Sequence, residues 1–172
     1  MDTLYYLAYG SNLHPVRLSE RVPSARLIGP AVLPGFRLTF HMRGADDSGK
    51  GNLVADPAAH AYGAVYAIEA HHKSLLDRYE GPGYRCGRLN AEVGGRAYDC
   101  FVYLAAPGYV DDSLRPYAWY KRLILLGAEY LGVPAVYLEQ LHGQETVPDP
   151  DAGRNALHEA LISRIIAPRT GG

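Results

Sequence analysis

The sequence predicts an α+β fold, on three observations. Strand-like runs come first and helical runs mostly last, without the alternation of βαβ units. Two apolar runs flank a Gly94-Gly95 pair, the mark of a hairpin. From Pro116 onward, apolar residues recur every three to four positions.

The elements follow in order. Residues 4–9 form a short apolar run rich in tyrosine, read as a buried strand, and Gly10-Ser11-Asn12 stops it. Pro15 is placed to open a short helix to Arg21. Residues 25–41 read as one or two strands, broken by Gly29-Pro30 and Pro34-Gly35. Residues 46–52 are polar and glycine-rich, which predicts a loop, and 62–68 predict a strand. Over 69–79 the period changes, putting Leu75, Leu76 and Tyr79 on one helical face that Gly81-Pro82-Gly83 terminates. The hairpin strands are 84–93 and 96–105. Their two-residue turn sets a register in which Cys86 faces Tyr103 and Cys100 faces Leu89. The cysteines then point to opposite faces, beyond the roughly 7 Å Cα limit for a disulfide. In the next helix Tyr117, Tyr120, Ile124, Gly127 and Leu131 form one stripe, with Asp111-Asp112-Ser113 as its expected cap. Pro134 starts a helix to about His142, and Asp151 caps a last one carrying Leu157, Leu161 and Ile165.

At 172 residues the chain fits one domain, 1–172, with 145–172 as a C-terminal helical extension. Its 48% apolar and 20% charged residues are the balance of a globular protein with a sizeable core. A net charge of −1 favours neither nucleic acid nor an anionic membrane as partner. No apolar run reaches the roughly 18 residues of a membrane span, and Met1-Asp2-Thr3 does not begin a secretory signal. With two free thiols, the expected location is the cytoplasm. Fourteen tyrosines against three phenylalanines suit half-buried strands and a pocket that needs hydroxyl donors.

Two features carry candidate chemistry. A buried strand running into Gly10-Ser11-Asn12 can leave successive amides pointing one way, a concavity that binds a carboxylate or an oxyanion. Read alone, the loop is equally a turn that ends a strand. Glu80 falls in the last turn of its helix, where the macrodipole disfavours a carboxylate and raises its pKa toward neutrality. Read alone, it is equally a surface glutamate. A metal at His71-His72 is set aside, because adjacent helical side chains point about 100° apart. Asp46-Asp47 lacks calcium-loop spacing. No G-x-S-x-G elbow, P-loop or G-x-G-x-x-G fingerprint is present. Cofactor-free chemistry by an acid and backbone donors remains.

Taken together, Tyr6-Leu7-Ala8-Tyr9-Gly10-Ser11-Asn12-Leu13, Arg17-Leu18, Arg21, Pro23-Ser24-Ala25, Leu33-Pro34-Gly35-Phe36, Leu76-Asp77, Glu80-Gly81, Tyr84, Tyr120-Lys121 and Gly127-Ala128 resemble the γ-glutamylcyclotransferase family over roughly residues 4–142. The resemblance implies a small, mixed, β-barrel-like sheet surrounded by helices. It also implies conversion of a γ-glutamyl amino acid or conjugate to 5-oxoproline and a free amine, without cofactor. By that resemblance Glu80 is the catalytic acid and base. Tyr9, Gly10, Ser11, Asn12 and Leu13 form the substrate loop, and Tyr84 and Tyr120 orient the substrate. The expected partner is a small γ-glutamyl molecule, with a homodimer left open. A γ-glutamylamine cyclotransferase acting on a specialised metabolite and a non-catalytic binding domain of the same fold are the alternatives. The 41–52 loop and everything after Gln144 match no family pattern, which leaves the amine half undefined.

Overall fold

The computed structural model describes residues 2–167. Five strands form one mixed sheet: β1 (Thr3–Ala8), β2 (Arg26–Arg43), β3 (Gly49–Glu69), β4 (Tyr84–Val93) and β5 (Arg96–Ala105), in the order β2-β3-β1-β5-β4. β1 pairs antiparallel with β3 and parallel with β5. The sheet curls until its edges approach, so that a Cβ on Gly29 of β2 would lie 2.5 Å from Val93 Cγ1 of β4. That closure is the barrel-like shape expected from the resemblance.

Buried on both faces, β1 reads as an unbroken apolar run. Leu7 and Tyr9 face a core inside the curl with Val65, Cys100 and Val102. Tyr6 and Ala8 face a second core under the helices with Tyr66, Leu76, Tyr120 and Ile124. Five helices cover that outer face: α1 (Pro15–Arg21), α2 (Lys73–Glu80), α3 (Ala118–Leu131), α4 (Ala135–His142) and α5 (Ala152–Ile166). Asp151 caps α5, its side chain accepting from Arg154 N. The expected extension to residue 172 passes outside the described residues at 168.

The hairpin forms as its glycine pair predicts, with Cys86 opposite Tyr103 and Leu89 opposite Cys100. Both thiols are free. No helix among the described residues is long and apolar enough to cross a membrane.

Four expectations need correction. Residues 49–52 are not loop: β3 begins at Gly49 and runs 21 residues in antiparallel pairing with β2 through three register shifts. Only 44–48 turn, with Asp46 Oδ1 accepting from Ser48 N at 3.1 Å. Tyr79 leaves the apolar face of α2; it is 56% exposed, with the Arg21 guanidinium 4.6 Å over its ring. Asp111 does not cap α3, which starts at Ala118 behind Tyr117 without a side-chain cap; the Asp111 carboxylate instead binds Ser113 and Arg43. His71 and His72 lie in a 3₁₀ turn rather than an α-helix, and their ring centroids are 4.0 Å apart. With Glu69 they place three ligand atoms within 4.8 Å of one another, although His72 Nδ1 is engaged with Ser24 Oγ at 2.7 Å.

Candidate active site

β1 delivers the loop and α2 delivers the acid to one place. After Ala8 the chain turns, with Leu13 N donating to Gly10 O at 3.1 Å. The amides of Gly10, Ser11 and Asn12 donate to no acceptor among the described residues, as an anion-binding concavity requires. Glu80 is the last residue of α2, and Gly81 ends the helix at φ +69°. The two features are joined directly: Asn12 Nδ2 donates to Glu80 Oε1 at 3.3 Å.

Asn12 is 4% exposed and fully engaged, donating also to Tyr6 OH at 3.1 Å and accepting from Arg21 Nη1 at 3.2 Å. Its side chain is therefore committed to holding Glu80 and has no donor left over. Burial pushes the Glu80 carboxyl from 4.5 up to about 7, against the pull of Arg21 and Arg17 and with a push from Asp77. The helix end suggested the right direction, but burial is the larger cause.

The tyrosines converge on Gly51 of β3. Gly51 N donates to Tyr120 OH at 2.8 Å, and Gly51 O accepts from Tyr84 OH at 2.5 Å and from Tyr9 OH at 3.4 Å. The single proton of Tyr9 OH goes to Tyr103 O at 2.5 Å, which leaves Gly51 O the weaker, longer contact. Tyr84 and Tyr9 thus brace the backbone. Tyr120 OH accepts from Gly51 and keeps its proton to donate. A Cβ on Gly10 would sit 3.4 Å from that hydroxyl and one on Gly51 3.3 Å, so both glycines clear space around it.

Two spaces share a wall here. An inner pocket of about 30 Å³ is lined by Tyr6, Tyr9, Gly10, Asn12, Gly51 and Tyr103, and an open outer chamber of about 490 Å³ by Arg17, Arg21, Lys50, Trp119 and His158, among others. Ser11, Glu80, Tyr84 and Tyr120 line both. The larger space is not where the acid and the loop converge; the shared wall is. Leu13, expected in the substrate loop, lines neither. It is 1% exposed in the core under α3, and its carbonyl accepts from Tyr66 OH at 2.8 Å.

Sequence reasoning missed Gly51, Tyr6, Arg17 and His158 as wall residues. Gly51 was hidden by reading its strand as loop, and His158 by an α5 that matched no known pattern. Arg17 and Tyr6 stood within the quoted motifs without a role.

The raised pKa has a consequence for stability. Between 4.5 and about 7 the folded protein binds more protons than the unfolded chain, so stability falls as pH rises through that window. The full cost, on the order of 3 kcal/mol, is present above it. Glu80→Gln cannot ionise, so its melting temperature should exceed wild type at pH 8, with the gap closing toward pH 5. An equal gap at both values would contradict the buried carboxyl.

Residues 6–122 match the family model described as Gamma-glutamyl cyclotransferase, AIG2-like. The chain is 30% identical over 155 residues to a protein named Gamma-glutamylcyclotransferase from Homo sapiens, covering 84% of this chain and 80% of that one. A protein of the same name from Bos taurus is 28% identical over 160 residues, with the same coverage. Among solved structures, one titled Gamma-glutamyl cyclotransferase superposes with a TM-score of 0.82 at 26% identity, covering 95% of this chain and 99% of that one. The crystal structure of an uncharacterized protein from Homo sapiens gives 0.79 at 25% identity, covering 92% and 99%.

Proposed function

The chain belongs to the Gamma-glutamyl cyclotransferase, AIG2-like family, and from that premise we propose that it converts a γ-glutamyl compound to 5-oxoproline and a free amine. One observation carries the reading: the Glu80 carboxyl, with a pKa near 7, is tied through Asn12 to a loop of unpaired amides.

The substrate's α-amine attacks its own γ-carbonyl. An N–C bond forms to close a five-membered ring, and the C–N bond to the amine half breaks. No water is consumed. The α-amine is an ammonium at neutral pH, so ionised Glu80 first removes a proton, and the attacking nitrogen sheds a second as the lactam N–H forms. The leaving nitrogen takes up both by way of Glu80, the first to depart as an amine and the second to become an ammonium. A group with its pKa near the working pH does both steps best. The Gly10–Asn12 amides hold the α-carboxylate or the developing oxyanion. The inner pocket has room for one such group. Tyr120 OH donates its remaining proton to the substrate. Tyr84 acts by fixing Gly51, and Tyr9 by holding the neighbouring backbone at Tyr103.

The expected result with purified protein is release of 5-oxoproline from at least one member of a panel of γ-glutamyl amino acids and γ-glutamylamines, followed by chromatography. A panel that yields none, while members still bind, would favour a non-catalytic binding domain instead.

A further inference from the structure

Arg17 is a buried cation without a hydrogen-bonded partner. It comes from the middle of α1 and is 8% exposed. Its Nε has no acceptor, and among the described residues its guanidinium makes no hydrogen bond or ion pair. Burial, then the neighbouring Arg21, lower its pKa to about 10 against a smaller opposite pull from Glu20, so it remains charged at neutral pH. Burying an unpaired charge is costly, and a fold that does so beside its acid has left a place for an anion.

The other cations of the outer chamber are engaged or open to water. Lys50 Nζ lies 2.8 Å from Asp46 Oδ2. Arg21 donates to Asn12 and covers Tyr79. Arg43 Nη2 lies 2.6 Å from Asp111 Oδ2, and Arg78 is exposed. Glu80 feels the Arg17 charge, but no hydrogen bond or contact ion pair joins the two, so the guanidinium is left without an acceptor. His158 of α5 stacks on Trp119 at 3.6 Å and adds an aromatic wall without charge. Burial, Arg17, Lys50 and Arg21 hold its pKa down to about 4. One unpaired buried cation calls for one anionic group.

We propose that Arg17 is a specificity-determining residue for the amine half of the substrate, binding an anionic group there, a carboxylate, and disfavouring neutral or cationic amines. The inference rests on the γ-glutamyl reading above. It names the part of the molecule which that reading leaves open. With the γ-glutamyl group held at the shared wall, the amine half extends into the outer chamber where Arg17 waits. An Arg–carboxylate pair formed out of water is strong and can be bidentate. A neutral amine half would leave Arg17 as unpaired as it is in the free protein.

The test uses two probes that differ in one group, γ-glutamylalanine and γ-glutamylalaninamide. Each is titrated calorimetrically into Glu80→Gln protein, so that binding is read without turnover. Each is also assayed for 5-oxoproline with the wild type. The carboxylate probe should be preferred by about 10²-fold, the scale of a buried hydrogen bond to a charged group. Arg17→Gln, in either background, should cut the preference to within about threefold by raising Kd and KM rather than lowering kcat. Arg17→Lys should restore part of it. Because Arg17→Gln removes an unpaired buried charge, it should melt no lower than its parent without ligand, and this separates lost recognition from lost folding. Equal binding of the two probes, a preference that survives Arg17→Gln, or no binding of either overturns the proposal. An Arg17-dependent preference with no 5-oxoproline from either probe would uphold the subsite and overturn the reaction.

Discussion

Glu80→Gln is expected to lower kcat for 5-oxoproline formation by about 10³-fold, within the range for loss of a general acid and base, while substrate binding changes little. Gln retains an acceptor at Oε1, so the bond from Asn12 Nδ2 survives and the loop stays in place. What is lost is the ability to take the ammonium proton and return it to the leaving nitrogen. Two measurements separate this from a disturbed pocket. Calorimetric Kd should stay within a few-fold of wild type. In the wild type, kcat/KM should rise with pH and level off above about 7, because the base works only when ionised and its pKa lies there; this limb should vanish in the variant. Wild-type turnover in Glu80→Gln would remove the carboxyl from the chemistry. A large loss of binding would instead assign it to ground-state recognition.

The sequence signals that succeeded were local and stereochemical. A Gly94-Gly95 turn admits few hairpin geometries, so one dipeptide specified all ten pairs between β4 and β5. Pro15 and Arg21 bound α1 as expected, and Gly81 with positive φ placed Glu80 at a helix end. What stayed hidden depends on partners far away in the chain. Residues 49–61 carry Gly, Asp, Pro and Ala, poor strand formers. They are extended because β2 lies alongside and pairs with them, and no local pattern announces that. With that strand went Gly51, and so the reason three tyrosines meet. Asn12 stands in the loop that the sequence singles out, but its place beside the acid is not legible there. Only the burial of its amide between Tyr6, Glu80 and Arg21 shows that it holds the acid. Leu13 belongs to the same motif for a packing reason: it anchors the loop under α3.

That anchor yields the second large expectation. A Cβ on Gly127 would lie 2.4 Å from Leu13 Cβ and 2.9 Å from His14 N. Leu13 is fully enclosed and His14 is backbone at the start of α1, so neither can swing aside as a flexible side chain would. Gly127→Ala must therefore push α3 and the loop apart. Alanine is the better helix former by about 1 kcal/mol, which on an exposed face would stabilise. Here the overpacking, typically 1–3 kcal/mol and more at so short a contact, outweighs it. The expected net effect is a lower melting temperature by about 4–8 °C, taking about 2 kcal/mol for a chain of this size. The displacement also reaches the chemistry from both sides. Tyr120 stands two turns earlier on the same face of α3, with its hydroxyl on Gly51, and the loop carries the Asn12 bridge to Glu80. A misplacement of about 1 Å at such a site costs on the order of 10²-fold in rate. Gly127→Ala should then lose activity at temperatures well below its own melting point, although residue 127 lines neither the inner pocket nor the outer chamber. Loss of activity only in step with unfolding would mean that the loop and Tyr120 keep their places without this contact. Unchanged melting and rate would mean that the close approach of α3 to Leu13 does not hold in solution.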